Sequence, residues 1–175
     1  MISDQLKAAI RDVPDFPKPG IMFKDITPVF LDPVLCGEIT KAMKELVSHL
    51  SIDAVVSIES RGFMFGFMLA QAMNVPFVPV RKVGKLPYET VTQQYELEYG
   101  FAEVEMHVDA IRSGWKVLIH DDLLATGGTA SATAQLVERM GGSVSAFVFL
   151  IHLSFLSGNS KLVAFSEHTY SLAEY

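Results

Sequence analysis

The sequence predicts an α/β fold, an open and twisted parallel sheet with helices on both faces. Four short apolar segments are typical of buried strands: 53–58, 76–81, 116–120 and 144–151. Segments with apolar residues at helical spacing lie between them along the chain. Apolar strands that alternate with helices indicate a parallel sheet covered on both sides. In such a sheet we expect ligands at the carboxyl ends of the strands.

Helical spacing of apolar residues predicts four helices. A short one at the N-terminus is marked by Ile2, Leu6, Ala9 and Ile10, and longer ones follow at 32–50, 61–73 and about 129–140. Gly141 and Gly142 end the last of these. Pro14, Pro17 and Pro19 exclude a helix between the first two and predict an extended segment.

The segment 82–99 interrupts this alternation. Residues 82–94 are polar, contain Gly84 and Pro87, and lack a helical face. A long irregular loop in a small domain is usually a functional lid or a disordered stretch. Because 95–99 alternates as a strand does, we expect a lid that returns as a hairpin.

Composition limits the function classes. A chain of 175 residues suits one domain, and its net charge of -6 argues against nucleic-acid binding, although a local basic cluster can still hold a small anion. The apolar stretch 62–73 is shorter than the roughly 20 residues that span a bilayer, so no membrane partner is expected. The start of the chain lacks the pattern of a signal peptide, and Cys36 is the single cysteine, a buried one by expectation. A cytoplasmic location fits both observations.

The segment 117–130, VLIHDDLLATGGTA, predicts a phosphate site. An apolar strand leads through two acids into Ala125, Thr126, Gly127, Gly128 and Thr129, and a helix follows. The glycines allow a tight turn and a close approach of the backbone to a ligand. The start of the helix offers free amides and a positive dipole end, which suit an anion.

Asp121 and Asp122 require a partner other than the phosphate, because like charges repel. A ribose diol donates hydrogen bonds to carboxylates, and Mg²⁺ held mainly through substrate and water is a second partner for them. Acids that bind a diol beside a phosphate loop predict a ribose 5-phosphate site. The alternative, an Asp-rich turn without function, leaves the ordered series of acids, hydroxyls and glycines unexplained.

The segment resembles the phosphoribosyl-pyrophosphate signature of the type I phosphoribosyltransferases. Four further segments resemble the adenine-specific members: 16–28 (FPKPGIMFKDITP), 59–66 (ESRGFMFG), 81–87 (RKVGKLP) and 95–100 (YELEYG). The resemblance implies transfer of phosphoribose from phosphoribosyl pyrophosphate to adenine, giving AMP and pyrophosphate, with Mg²⁺ and a homodimer. It also implies one domain over 1–175, with an N-terminal helix and base-binding hood at 1–33 and a mobile lid at 82–100.

The resemblance assigns roles around the pyrophosphate. Glu59, Ser60 and Arg61 correspond to the pyrophosphate loop, with a strained, often cis, peptide expected between Glu59 and Ser60. The cationic group around the pyrophosphate corresponds to Arg81, Lys82 and Lys85, and part of this group reaches in from the partner subunit. Tyr99 is expected to contact the pyrophosphate beside it. Arg61 and Lys85 are also expected to act in catalysis, by stabilising the leaving anion.

The resemblance also assigns the base site. Phe23 is expected to stack on adenine, backbone groups of Met22 and Lys24 to read its edge, and Leu123 to cover its other face. Glu98 is the expected proton-transfer group. The alternatives are a core aromatic for Phe23 and an exposed strand carboxylate for Glu98.

Further expectations concern residues outside the predicted site and two alternative functions. His120 stands where an apolar residue is usual before the acid pair, and it is either buried and neutral or a modifier of the acids' ionisation. Trp115 is expected to pack, and His49, His107 and His168 lack metal-ligand spacing.

Transfer to hypoxanthine or guanine is an alternative that calls for a lysine near the last strands, and 149–156 (FLIHLSFL) has none. A non-catalytic sensor of phosphoribosyl pyrophosphate that binds nucleic acid is another, which calls for a basic face.

Overall fold

The computed structural model describes residues 1–97 and 100–175. Its helices are α1 (Ile2–Ala9), α2 (Pro33–Leu46), α3 (Gly62–Met73) and α4 (Gly128–Arg139). Its strands are β1 (Arg11–Pro14), β2 (Met22–Asp25), β3 (Ala54–Ile58), β4 (Phe77–Lys82), β5 (Thr90–Glu96), β6 (Phe101–His107), β7 (Lys116–Leu124), β8 (Ser143–His152) and β9 (Thr169–Glu174). Short 3-10 helices lie at Thr27–Leu31, Ser154–Leu156 and Gly158–Lys161.

A seven-stranded sheet in the order β5-β6-β4-β3-β7-β8-β9 forms the centre of the molecule. The strands from β4 to β9 in this order pair in parallel, and the hairpin β5–β6 adds antiparallel to the free edge of β4. The predicted α/β class with a mostly parallel sheet is confirmed. The carboxyl ends of β3, β4 and β7 meet at one edge because these three strands are neighbours.

Helices cover both faces of the sheet, as the apolar strands predict. On one face α4 packs through Leu136 and Val137 against a cluster that includes Val56 and Ile119. On the other face α1, α2 and α3 pack against a second cluster, in which Phe65 of α3 is fully buried. The free thiol of Cys36 is buried there, as expected.

Helix α2 illustrates how local sequence sets an element's bounds. The Asp32 side chain accepts hydrogen bonds from the Val34 and Leu35 amides, both at 3.0 Å, and caps the helix. Pro33 occupies the first helical position, which needs no amide hydrogen. The helix ends at Leu46, so the predicted range 32–50 is too long at its C-terminal end.

The structure corrects the assignments of four strands. Residues 90–94 belong to strand β5 and are not irregular loop, and β5 ends at Glu96 before the hairpin turns into β6. Strand β7 extends past His120 to Leu124 and so includes the acid pair. Strands β6 and β9 were not predicted, because polar residues interrupt their apolar residues and leave no continuous apolar segment. In β6 the buried positions include Glu105 between Val104 and Met106.

The extended N-terminal segment forms a small two-stranded sheet of its own. β1 pairs antiparallel with β2, so that Val13 faces Phe23 and Pro14 faces Met22. Nowhere within 1–97 or 100–175 is there a helix with the length and apolar character needed to cross a membrane.

Candidate active site

A cleft of about 350 Å³ opens at the carboxyl ends of β3, β4 and β7. It is lined by Glu59, Ser60, Arg61, Lys82, Asp121, Asp122 and Leu123. The topology therefore brings together predicted site residues from three separate segments of the sequence. An adjoining cavity of about 80 Å³ shares Asp121 and Leu123 with this cleft and continues along residues 124–130.

The predicted phosphate loop forms the wall of the second cavity. Gly127 has a φ of +74°, a conformation that strains residues with a side chain, and α4 begins at the next residue. A Cβ atom added at Gly127 would collide with the carbonyl oxygen of Gly158, so the loop rests directly on another stretch of backbone. The loop is thus open to the cavity on one side and supported by residue 158 on the other. No feature of the sequence near residue 127 indicates this support.

The two aspartates of β7 lie in the cleft but are largely shielded from water. Burial raises the pKa of Asp121 well above its usual value, and the neighbouring charge of Asp122 raises it further. Burial also raises the pKa of Asp122, against the opposing charge of Arg61. The Asp121 carboxylate accepts the Asp122 amide hydrogen at 2.8 Å. A pair of acids in this setting gains from hydroxyl donors or a cation, because either stabilises the ionised form.

Arg61 connects the acid pair to the N-terminal sheet. Its Nε lies 2.9 Å from Oδ2 of Asp122. Among the described residues that oxygen has no aligned hydrogen-bond donor, so the contact is an ion pair and not a directed hydrogen bond. The guanidinium carbon lies 4.9 Å from the centre of the Phe23 ring, and Nη1 donates to the Lys24 carbonyl at 3.5 Å. One side chain therefore contacts both the predicted ribose acids and the predicted base site.

The predicted pyrophosphate loop follows β3, and its Glu59–Ser60 peptide is cis, as expected from the resemblance. Both carboxylate oxygens of Glu59 accept hydrogen bonds from Arg81, at 3.1 and 3.2 Å. The Lys82 amide donates to the same carboxylate at 3.1 Å. Burial works against ionisation, yet these donors hold the pKa of Glu59 below its ordinary value. Glu59 thus ties β4 to the loop that carries Ser60 and Arg61.

Lys85 is connected to this network through its main chain. Its carbonyl accepts a hydrogen bond from Nη1 of Arg81 at 3.1 Å. Its amide donates to Oε1 of the buried Glu105 at 2.8 Å. Glu105 was missed by the sequence analysis, and the only signal available was an acid between the apolar residues Val104 and Met106 of β6.

The predicted base-binding residues lie on β2 and at the end of β7. Phe23 contacts Phe16 edge-on, with ring centres 5.0 Å apart, and belongs to neither core cluster. The core-aromatic alternative is therefore wrong. Met22 is half exposed, and Leu123 lines the cleft.

The Lys24 side chain has two partners near the N-terminal sheet, while its carbonyl accepts from Arg61. Its Nζ donates to Asp12 at 2.6 Å and lies 3.9 Å from the centre of the Tyr175 ring. Neither Asp12 nor Tyr175 was singled out from the sequence.

Two predicted residues, Glu98 and Tyr99, lie outside the described part of the chain. His120 is buried within β7, and its Nδ1 donates to the Val148 carbonyl at 2.8 Å. Burial lowers the pKa of His120 to about 4, so the ring is neutral at physiological pH. This is the first of the two alternatives that the sequence left open. Trp115 packs against the core cluster under α4, as expected.

The cleft offers oxygen ligands suited to Mg²⁺. Asp121 and Asp122 line the cleft, and their carboxylates are the hard oxygen donors that Mg²⁺ prefers. Among the described residues, three or more acids, histidines or cysteines do not come together as a metal cage. These residues therefore fit an ion bound mainly through substrate and water.

Comparison with known proteins identifies the class to which this fold and site belong. The family model described as phosphoribosyl transferase domain matches residues 31–171. The chain belongs to the phosphoribosyl transferase family.

Individual relatives place it more narrowly, among the adenine phosphoribosyltransferases. The adenine phosphoribosyltransferase of Cytophaga hutchinsonii is 47% identical over 175 residues, covering 100% of this chain and 97% of the relative. That of Myxococcus xanthus is 55% identical over 157 residues, covering 90% of this chain and 85% of the relative.

Solved structures agree with this placement. Adenine phosphoribosyltransferase from Thermoanaerobacter pseudethanolicus superimposes with a TM-score of 0.96 at 46% identity, covering 100% of both chains. The Saccharomyces cerevisiae protein, complexed with an imino-altritol bisphosphate and adenine, gives a TM-score of 0.91 at 41% identity and covers 98% of both chains.

Proposed function

We propose that this protein is an enzyme of purine salvage that converts adenine and phosphoribosyl pyrophosphate into AMP and pyrophosphate. The observation that carries the proposal is the shared cleft. Asp121 and Asp122 lie between the loop 125–129 on one side and Ser60 and Arg61 on the other. A ribose placed over the acids has its 5-phosphate beside the first loop and its C1 substituent beside the second.

The 5-phosphate and the diol fix the sugar in this proposal. Amides from Ala125 to Thr129, with the hydroxyls of Thr126 and Thr129, surround the phosphate at the start of α4. Asp121 and Asp122 accept hydrogen bonds from the ribose hydroxyls. This fixation lowers the entropic cost of bringing C1 into line with the incoming base.

Loss of pyrophosphate leaves cationic character at C1, as in glycoside chemistry. The residues around Ser60 then stabilise the leaving anion, with Arg61, Lys82 and Lys85 as its cations and Arg81 holding Glu59 in place. Mg²⁺, bound near Asp121 and Asp122, would supply charge neutralisation on the departing oxygens. The lid at 82–100 excludes the water that would otherwise hydrolyse the sugar.

Adenine binds against β2 in the proposal. Phe23 stacks on the ring, Leu123 covers the other face, and backbone groups of Met22 and Lys24 pair with the edge that carries the 6-amino group. Tyr99 contacts the pyrophosphate side and Glu98 moves the proton on the purine. The support for these roles is the family resemblance together with the position of β2 beside Arg61.

Product identification tests the function directly. The protein is mixed with Mg²⁺, phosphoribosyl pyrophosphate and either adenine, hypoxanthine or guanine, and the nucleotides are separated by chromatography. We expect AMP from adenine and at most a trace of IMP or GMP. Efficient IMP formation would instead support the 6-oxopurine alternative. A gel-shift assay with RNA and DNA in parallel tests the sensor alternative, which the net charge of -6 disfavours.

The Glu98→Ala variant tests the proton-transfer role. General acid–base groups contribute about 10²- to 10⁴-fold to rate, so we expect kcat to fall by at least about a hundredfold. The KM for phosphoribosyl pyrophosphate changes little, since another set of residues binds it. An unchanged kcat removes Glu98 from the mechanism.

A homodimer and a cytoplasmic location complete the proposal. The support for the dimer is the family resemblance. The support for the location is the single cysteine, which suits a reducing compartment.

A further inference from the structure

The main chain at Lys85 is held from two sides by opposite charges. Its amide donates to Oε1 of Glu105 at 2.8 Å, and its carbonyl accepts from Nη1 of Arg81 at 3.1 Å. The next amide, that of Leu86, donates to the same Glu105 oxygen at 2.8 Å. Gly84 precedes them with a φ of +86°, a turn that lets both amides converge on one atom.

Glu105 is unusual because it is an acid placed in a core position. Only 3% of it is exposed, and carboxylates are almost never so buried unless they are paired. Burial opposes ionisation, but donors from residues 84–86 and Thr90 hold the pKa of Glu105 below its ordinary value. The ionised carboxylate is therefore satisfied by the backbone that leads to and from Lys85.

Sheet register explains why Glu105 meets this segment. β6 pairs antiparallel with β4, and Glu105 stands directly opposite Arg81. Arg81 in turn forms a two-point contact with Glu59, the residue before Ser60. A continuous series of hydrogen bonds thus runs from Glu59 through the Arg81 side chain and the Lys85 main chain to the Glu105 carboxylate.

We propose that Glu105 is a positioning residue for pyrophosphate release, acting by fixing the main chain of Lys85. The proposal rests on the function proposed above, in which the Lys85 ammonium stabilises the leaving group. A lysine side chain loses conformational freedom when it binds an anion. If the backbone of Lys85 is already fixed, less conformational entropy is lost when the side chain binds the anion. The fixed backbone also keeps the ammonium within reach of the cleft.

Three variants of the full-length protein separate this role from ordinary strand stability. Glu105→Ala removes the acceptor, Glu105→Gln keeps an oxygen acceptor without the charge, and Glu103→Ala removes an exposed acid from the same strand. We expect Glu105→Ala to lower kcat/KM for phosphoribosyl pyrophosphate by about tenfold, the equivalent of one charged hydrogen bond. The adenine KM stays unchanged, Glu105→Gln recovers most of the loss, and Glu103→Ala behaves as the parent protein.

A double-mutant cycle with Lys85→Ala identifies the group through which Glu105 acts. If Glu105 works through the Lys85 ammonium, adding Glu105→Ala to Lys85→Ala costs little more activity. An equal loss in both backgrounds would overturn the proposal, because Glu105 would then act on something else.

Amide hydrogen exchange gives a readout that does not depend on activity. We expect slow exchange at the Lys85 and Leu86 amides in the parent and in Glu105→Gln, and fast exchange in Glu105→Ala, with β3 amides protected throughout. Loss of protection in β3 marks a folding failure, and the Glu105→Gln data then decide. Fast exchange at residues 85 and 86 in the parent refutes the fixation of the Lys85 main chain by Glu105. If the parent makes no AMP but protects these amides, the proposed function fails while the fixation itself stands.

Discussion

At the scale of single residues, Gly127 is the position where the phosphate loop tolerates least change. Its positive φ and its contact with the Gly158 carbonyl both exclude a side chain. We expect Gly127→Ala to destabilise the fold by more than the roughly 1–2 kcal/mol that a left-handed backbone alone costs. It should also weaken binding of phosphoribosyl pyrophosphate. Urea unfolding and the KM for this substrate measure the two effects.

Gly114→Ala is the matched control for this substitution. Gly114 has a φ of +83°, and among the described residues nothing lies within 4 Å of an added Cβ. Gly114→Ala therefore has the conformational cost of a positive φ but no steric collision of the added Cβ. If both variants lose equal stability and both bind substrate normally, the contact with residue 158 is unimportant.

His120 makes the stability of the protein depend on pH. Its pKa is lowered to about 4 in the fold, whereas an exposed histidine titrates near 6.5. Between these values the unfolded chain binds a proton that the folded chain does not. Stability is therefore intact above about pH 6.5 and falls as pH decreases toward 4, by up to roughly 3 kcal/mol.

The His120→Val variant checks this dependence. It removes the titrating ring and also the buried Nε2, which has no hydrogen-bond partner within residues 1–97 and 100–175. Unfolding free energies measured between pH 4 and 8 should fall less steeply at low pH in the variant than in the parent. Parallel curves would show that His120 does not titrate as described.

At the scale of elements, the packing of α3 on β3 determines where Arg61 lies, because Arg61 is the residue directly before that helix. A Cβ added at Gly66 would collide with the Ser57 side chain. We expect Gly66→Ala to cost about 1–3 kcal/mol, as other overpacked cores do. It should also lower kcat/KM, since α3 must shift and carry Arg61 away from Asp122.

Helix α2 provides the control for that prediction. Gly37 lies within α2, and among the described residues nothing approaches within 4 Å of an added Cβ. Gly37→Ala should stabilise the protein by about 0.5–1 kcal/mol through helix propensity alone. The same substitution in two helices is thus expected to have opposite signs in urea unfolding.

Elements were predictable where their apolar pattern was complete. β3 and β8 are buried runs, and α2 and α4 show a clear helical face, so the sequence indicates each of them. β6 and β9 were not predicted, and β5 was predicted only at its end, because these strands have no continuous apolar run and the buried part of β6 contains the acid Glu105. Their pairing depends on the sheet edges offered by β4 and β8, which only the folded chain reveals.

At the scale of the whole molecule, we expect the protein to be a dimer. Sedimentation velocity should give a species of twice 19.3 kDa. If a cation of the partner subunit completes the pyrophosphate site, turnover per subunit falls on dilution as the dimer dissociates. A fully active monomer would remove the partner from the mechanism.

The candidate site was predictable in its parts but not in its internal contacts. The loop 125–129 and the acids before it are adjacent in sequence, so their shared cavity follows from local order. The Glu59–Arg81 pair and the Lys85–Glu105 bond join residues more than 15 positions apart. These contacts depend on strand order and register, which short-range patterns do not specify.

The two sets of contacts made by Arg61 couple the binding of the two substrates in the proposed function. A single guanidinium contacts Asp122 on the sugar side, and Phe23 and the Lys24 carbonyl on the base side. A ligand that displaces Arg61 from its contact with Asp122 changes the free energy of its contacts with Phe23 and Lys24, and the reverse also holds. Occupancy by either substrate then changes the affinity for the second, and by reciprocity the two factors are equal. Cooperativity between nucleobase and sugar phosphate can thus arise within one subunit, without any change in the arrangement of the sheet.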